Sequence, residues 1–176
     1  MPQPQPYNPR LVGWLSLAQL ISWGSVFYLF ALLMAPLERD LGLSRAQVSL
    51  AFSLALLAEG LMAYPVGRWI DRGHERAVMT LGSVGVGVCL ALHSAVGSLL
   101  QLYLLWTLLG AATAAVLYSP AFALVTRRFP HDFRRAIITL TFLGGLASTV
   151  FIPLIAWLMG QMGWRPTLLL LALLHF

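Results

Sequence analysis

Glu59 is the only charge between Ala46 and Val66, and the stretch that follows, Gly67-Arg68-Trp69-Ile70-Asp71-Arg72-Gly73-His74-Glu75-Arg76, packs five charges into ten residues. A carboxylic acid inside an apolar run can take up and release a proton. Acids placed at that depth of a membrane are costly, so they face a cavity or a partner. The plainer role for Glu59 is a structural hydrogen bond to a neighbouring helix. His93 is the other ionisable residue well inside an apolar run, and its place near a helix end suits packing. A hydrolase would need a nucleophile with a base, or a ligand cluster. Neither Gly-x-Ser-x-Gly nor His-Glu-x-x-His occurs, and His93 and His131 are expected on opposite membrane faces. Gly82-Ser83-Val84-Gly85-Val86-Gly87 has the wrong order for a nucleotide loop. The expectation is no enzyme, no cofactor and no metal.

The elements that position these residues follow from composition. The chain is 59% hydrophobic and 10% charged, with a mean hydropathy of +0.81, whereas soluble domains carry about a quarter charged residues. A transmembrane helix needs ~20 apolar residues in succession. Leu11–Ala35 gives 25 without a charge, Ala46–Gly67 gives 22 with one, Ala77–Thr126 gives 50, and Ala136–Trp164 gives 29. The run of 50 must turn once, and His93–Ser98 is its most turn-prone point. The sequence therefore predicts an all-α polytopic membrane bundle with helices near 11–35, 46–67, 77–96, 100–126, 136–160 and 166–176. The last would cover only ~16 Å at 1.5 Å per residue, so it reads as truncated. Met1–Arg10, with four prolines, reads as an extended tail.

All 11 basic residues are arginine. Arg10, Arg68, Arg72, Arg76, Arg127, Arg128, Arg134 and Arg135 fall on one side of the expected bundle; Arg39, Arg45 and Arg165 fall on the other. That bias puts the N-terminus in the cytoplasm. It makes anionic lipid headgroups the expected neighbours rather than nucleic acid. Cys89 lacks a second cysteine to pair with and reads as a small packing residue. Small residues recur at Ser83, Gly87, Ala91 and Ala95, at Gly145, Thr149 and Pro153, and at Gly144 and Ser148. At this spacing they let helices approach closely in lipid.

The charged hairpin resembles the signature between helices two and three of the major facilitator superfamily, Gly-x-x-x-Asp-Arg-x-Gly-Arg-Lys/Arg. Gly67, Asp71, Arg72 and Arg76 fall in register, while His74 and Glu75 replace the second Gly and the Arg. Gly67 would allow a tight helix contact. Gly163-Trp164-Arg165 and Arg127-Arg128-Phe129-Pro130 are similar to family features before helix six and after helix four. The resemblance implies twelve helices in two halves, each of two inverted three-helix repeats. On that pattern residues 1–10 are a cytoplasmic tail and 11–176 the N-terminal half, with the C-terminal half as its missing partner. It implies a secondary active transporter of a small organic solute, by alternating access and with ion or proton coupling, in a cell membrane, a bacterial inner membrane by expectation. An inert fragment or non-transporting scaffold is the alternative.

In that family the hairpin acts in gating, which assigns Gly67, Asp71, Arg72 and Arg76 to a gating loop. Glu59 becomes the candidate for proton coupling. Helices one and four line the family's cavity, which implies Ser16, Gln19, Trp23 and Phe27 on one, and Tyr103, Trp106, Gly110 and Thr113 on the other. Each set shares an arc of roughly 80° at 100° per residue. Many proton-coupled drug exporters have an Arg where Trp106 stands, four residues before Gly110. Leu41-Gly42-Leu43-Ser44-Arg45 is closer to the monocarboxylate-porter branch.

Overall fold

A computed structural model describes residues 7–176; residues 1–6 of the expected tail lie outside the described residues. The described residues form helices and turns with no strand. Five helices are long and apolar enough to cross a membrane: α1 (Pro9–Leu41), α2 (Arg45–Asp71), α3 (Glu75–His93), α4 (Leu99–Arg128) and α5 (Phe133–Met162). A shorter apolar helix, α6 (Trp164–Leu173), follows.

Helix ends are set by local chemistry. Asn8 accepts from the amides of Arg10 and Leu11, and Pro9 opens α1 where its missing N–H costs nothing. Ser44 and Gln47 form a reciprocal capping box that starts α2. Ser98 accepts from the Gln101 amide to start α4. Gly42, at φ 63°, closes α1 in the left-handed region that glycine enters most easily. Several helices outrun the apolar runs: α1 continues through Glu38, Arg39 and Asp40, and α2 through Arg68 and Asp71. The apolar run marks hydrocarbon, whereas the helix continues into the headgroup layer.

Three of the long helices are interrupted. α1 widens to a π-helical turn over Trp23–Tyr28. α4 opens at 114–117, between Thr113 and Tyr118, and α5 pauses at Leu146. Pro120 explains the α4 opening. It has no N–H to give to the Val116 carbonyl four residues back, and the helix restarts at Tyr118 only after Leu117, which is extended.

These interruptions divide the core. On one side lies a cluster of Leu29, Leu33, Leu37, Val48, Leu102, Trp106, Leu109 and Leu168. On the other lies a smaller cluster of Val12, Leu15, Ala121, Leu124, Val125, Phe129, Ala136 and Leu140. The smaller one belongs to the first halves of α1 and α5 and the last half of α4. It sits at the end of the bundle that carries Arg68, Arg72, Arg76, Arg127 and Arg134, here called the Arg-rich end.

Small residues make the closest approaches. A Cβ on Gly110 would lie 2.0 Å from the Ala55 carbonyl oxygen, so α2 and α4 meet backbone to backbone. Gly82 meets Ala115, Gly24 meets the Phe151 ring, and Gly144 meets the Tyr118 hydroxyl. The small-residue stripes fare unevenly. Gly87 packs on Phe176 and Ala172, but Ala95 lies in the turn beyond α3. On α5 the Gly144 face packs, while Gly145, Thr149 and Pro153 are exposed. Two stripes one residue apart point about 100° apart, so one contact face excludes the other. Trp14, Leu61, Leu81, Leu100, Ile138 and Phe142 are each about two-thirds exposed. They form the outward apolar surface expected of a bundle in lipid.

Candidate functional site

The hairpin residues gather at the Arg-rich end. α2 ends at Asp71, Gly73 turns the chain at φ 84°, and Glu75 starts α3. Asp71, Arg72 and Arg76 are exposed. The last turn of α2 is held from α4: Arg127 donates one guanidinium nitrogen to the Ile70 carbonyl and Nη2 to the Asp71 carbonyl at 2.8 Å. No described residue makes the tight contact expected at Gly67. A Cβ there would find nothing within 4 Å, because Val66 and Ile70 are the residues that α2 buries beside it. A hollow of about 280 Å³ opens between Trp69, Arg72, His74 and Leu81. It is lined by the end of α2, the hairpin turn and the start of α3.

At the level of the interruptions, α1 and α4 are joined by Gln19. Its Nε2 donates to the Val116 carbonyl at 2.8 Å and reaches the Leu117 carbonyl at 3.4 Å. Gln19 thus supplies the donor that Pro120 lacks. Gln19 is fully buried, and its Oε1 has no partner among the described residues. The indole Nε1 of Trp23, one turn along α1, is also unpartnered there. Trp23 packs at a tilt on Phe27 at 4.6 Å and on Tyr118 at 5.2 Å, and Tyr118 stacks at 5.1 Å on Phe122. Phe27 meets the edge of Phe52 at 5.8 Å. These five aromatics are all half-buried. They make a continuous apolar face across α4, α1 and α2 with donors and an acceptor set into it.

The remaining expected cavity residues sit elsewhere. Ser16 and Thr113 are buried, and their hydroxyls donate to Val12 and Gly110 of their own helices. Trp106 is enclosed in the core, edge-on to Phe30, Phe52 and His93. Tyr103 packs on the margin of the same core. His93 is buried, with Nδ1 at 2.8 Å from the Cys89 carbonyl. Tyr118, Phe122 and Phe52 were not singled out by sequence reasoning. The Ser119-Pro120 pair inside a charge-free run was the available signal for an opened helix next to Tyr118.

Glu59 is half-buried and has no hydrogen-bond or ion-pair partner among the described residues. The structural hydrogen bond considered for it is therefore not formed within them. α2 and α4 run in the same direction, with Ala55 against Gly110 and Ile70 against Arg127. One turn past the Ala55–Gly110 contact come Glu59 on α2 and Ala114 on α4, where the helix opens. Glu59 stands at the level of the interruptions.

The opposite end is clasped by Trp164 and Arg165. The Trp164 indole donates to Asp40 Oδ2 at 2.7 Å, and Arg165 covers the Trp164 ring at 4.3 Å while donating to the Ser94 carbonyl. This ties α6 to α1 and to the α3–α4 turn.

The sequence profile of the Major Facilitator Superfamily matches residues 15–176. Monocarboxylate transporter 11 of Mus musculus is 31% identical over 183 residues, covering 96% of this chain and 39% of that protein. Monocarboxylate transporter 13 of Bos taurus is 35% identical over 113 residues, covering 62% of this chain and 26% of that protein. The chain spans less than half the length of these curated relatives.

Proposed function

The chain belongs to the major facilitator superfamily, and on that premise we propose that it forms the N-terminal half of a secondary active transporter for a small organic solute, working by alternating access with proton coupling. The observation that carries the reading is the half-buried aromatic face of Trp23, Phe27, Tyr118 and Phe122, set where α1, α4 and α5 are interrupted. Interrupted helices at mid-depth are where secondary transporters hold solutes, because unpaired backbone groups there have no lipid to face. The aromatic rings suit a short apolar body. The unpartnered Trp23 Nε1, the Tyr118 hydroxyl and the amide end of Tyr118–Arg128 suit an anionic head. The solute class we propose is a small monocarboxylate, by carry-over from the relatives' names.

Glu59, half-buried at the same level, is the proton site in this reading. Asp71, Arg72 and Arg76, with Arg127 behind them, form the gate. The exposed flank of α2 at Gly67 is the surface offered to the C-terminal half. The location is a cell membrane, with the Arg-rich end facing the cytoplasm and anionic headgroups. Counterflow of a labelled short-chain monocarboxylate into proteoliposomes of the full-length protein tests the function. Accumulation that Trp23→Ala abolishes is the expected result. Equal uptake by empty liposomes overturns it.

A further inference from the structure

The helix interruptions cut the molecule at one level. Beyond it lie Pro9–Ser22, Tyr118–Arg128 and Phe133–Gly145, which share a core of their own. Tyr118–Arg128 is joined to the rest of α4 by a non-helical stretch whose last residue, Leu117, is extended at ψ −165°. Two side chains act at its two ends. At the near end Gln19 satisfies the Val116 carbonyl that Pro120 leaves orphaned. At the far end Arg127 holds the carbonyls of Ile70 and Asp71, the last turn of α2. The 11 residues between are a regular helix, about 16 Å of rigid rod.

We propose that Tyr118–Arg128 is a lever: Gln19 sets its hinge, and Arg127 transmits its position to the hairpin that starts at Asp71. Gln19 is thus a positioning residue for the gate, acting through α4 without touching it. The unpartnered Oε1 of Gln19 fits this role. A hydrogen-bond donor arriving at the aromatic face would pull on the same carboxamide that holds the hinge. The lever rests on the transporter reading for its purpose, but its mechanics do not, so it is tested without transport.

The test is amide hydrogen exchange on the 176-residue chain in lipid nanodiscs, following peptides over 68–76 and 114–121. Gln19→Leu removes the donor and keeps the bulk. It should speed exchange in both regions by about fivefold, the size of one lost hydrogen bond. Pro120→Ala restores the missing N–H, so in that background Gln19→Leu should change neither region. Arg127→Gln, at an exposed position, should speed exchange over 68–76 alone and make Gln19→Leu silent there. If Gln19→Leu alters 114–121 and leaves 68–76 at the parent rate, Gln19 is a local cap and the lever is wrong. Additive effects of Gln19→Leu and Pro120→Ala would equally overturn it. Failure of monocarboxylate counterflow would remove the transporter reading and leave this result untouched.

Discussion

Arg127 reaches across from α4 to the backbone of Asp71, with Nη2 at 2.8 Å from its carbonyl oxygen and the other nitrogen on Ile70. Every helix leaves carbonyls unsatisfied at its C-terminus, and a cation there also suits the negative end of the helix dipole. α4 therefore holds the hairpin through its backbone. The Asp71 carboxylate stays exposed and forms no ion pair with a described residue.

That arrangement predicts a division of labour between rate and binding. In the full-length protein Asp71→Asn should depress the maximal transport rate while leaving the half-saturating solute concentration close to the parent value. Initial rates over a solute series check it. A large loss of affinity with unchanged turnover would contradict the gating role.

The Arg asymmetry predicts that the hairpin faces the cytoplasm. His74 is exposed in that turn, and the native cysteine is buried in α3, so His74→Cys in a Cys89→Ala background gives one reporter. An impermeant maleimide should label it in inverted vesicles and not in intact cells. Labelling from outside intact cells would reverse the orientation.

Most spans were legible because charge separates them and is costly in hydrocarbon; α3 and α4 meet at an uncharged turn that only the turn-prone His93–Ser98 stretch marked. The helix ends were less so: Glu38 to Asp40 stay helical in the headgroup layer, where nothing in an apolar run marks the end. Periodicity grouped Trp23 with Phe27 correctly as neighbours. It also grouped Trp106 with Tyr103, Gly110 and Thr113 on α4, which the resemblance turned toward the cavity, but an arc on a helix does not say what stands opposite. Phe30, Phe52 and His93 close over Trp106. The Gln19–Val116 bond joins residues 97 apart, which no local pattern encodes, although Pro120 announced that a carbonyl would need a donor.

Backbone contact between α2 and α4 predicts asymmetric tolerance of added methyl groups. Gly110→Ala drives its Cβ against the Ala55 carbonyl, which cannot swing away as a side chain would. Overpacking of this kind costs roughly 1–3 kcal/mol. Gly145→Ala enters open space and should be neutral or slightly stabilising. Thermal unfolding in detergent, followed by circular dichroism, should show a lowered Tm for the first alone. Equal Tm values would mean that the helices do not meet as described.

The clasp at the opposite end predicts a smaller effect. Trp164→Phe keeps the ring under Arg165 but deletes the donor to Asp40, which should lower stability by about 1 kcal/mol. Asp40→Asn keeps an acceptor oxygen and should stay nearer the parent. A larger loss from Asp40→Asn than from Trp164→Phe would show that charge, rather than the indole bond, holds α6 in place.

The last prediction concerns Glu59, half-buried without a described partner and level with the opening of α4. It stands 12 residues before Asp71, or ~18 Å along the helix, deep enough that water reaches it only through a cavity. An unpaired carboxylate is expensive there. Proton uptake would neutralise it, and proton release would need the cavity to open. Transport by the full-length protein should therefore depend on pH and on a proton gradient. Glu59→Gln keeps the shape and hydrogen-bonding capacity but fixes the charge at zero. It should abolish proton-driven accumulation while sparing exchange of solute down its own gradient. Accumulation equal to the parent's from about pH 5.5 to 8, a range that brackets physiological titration, would exclude Glu59 as the coupling site.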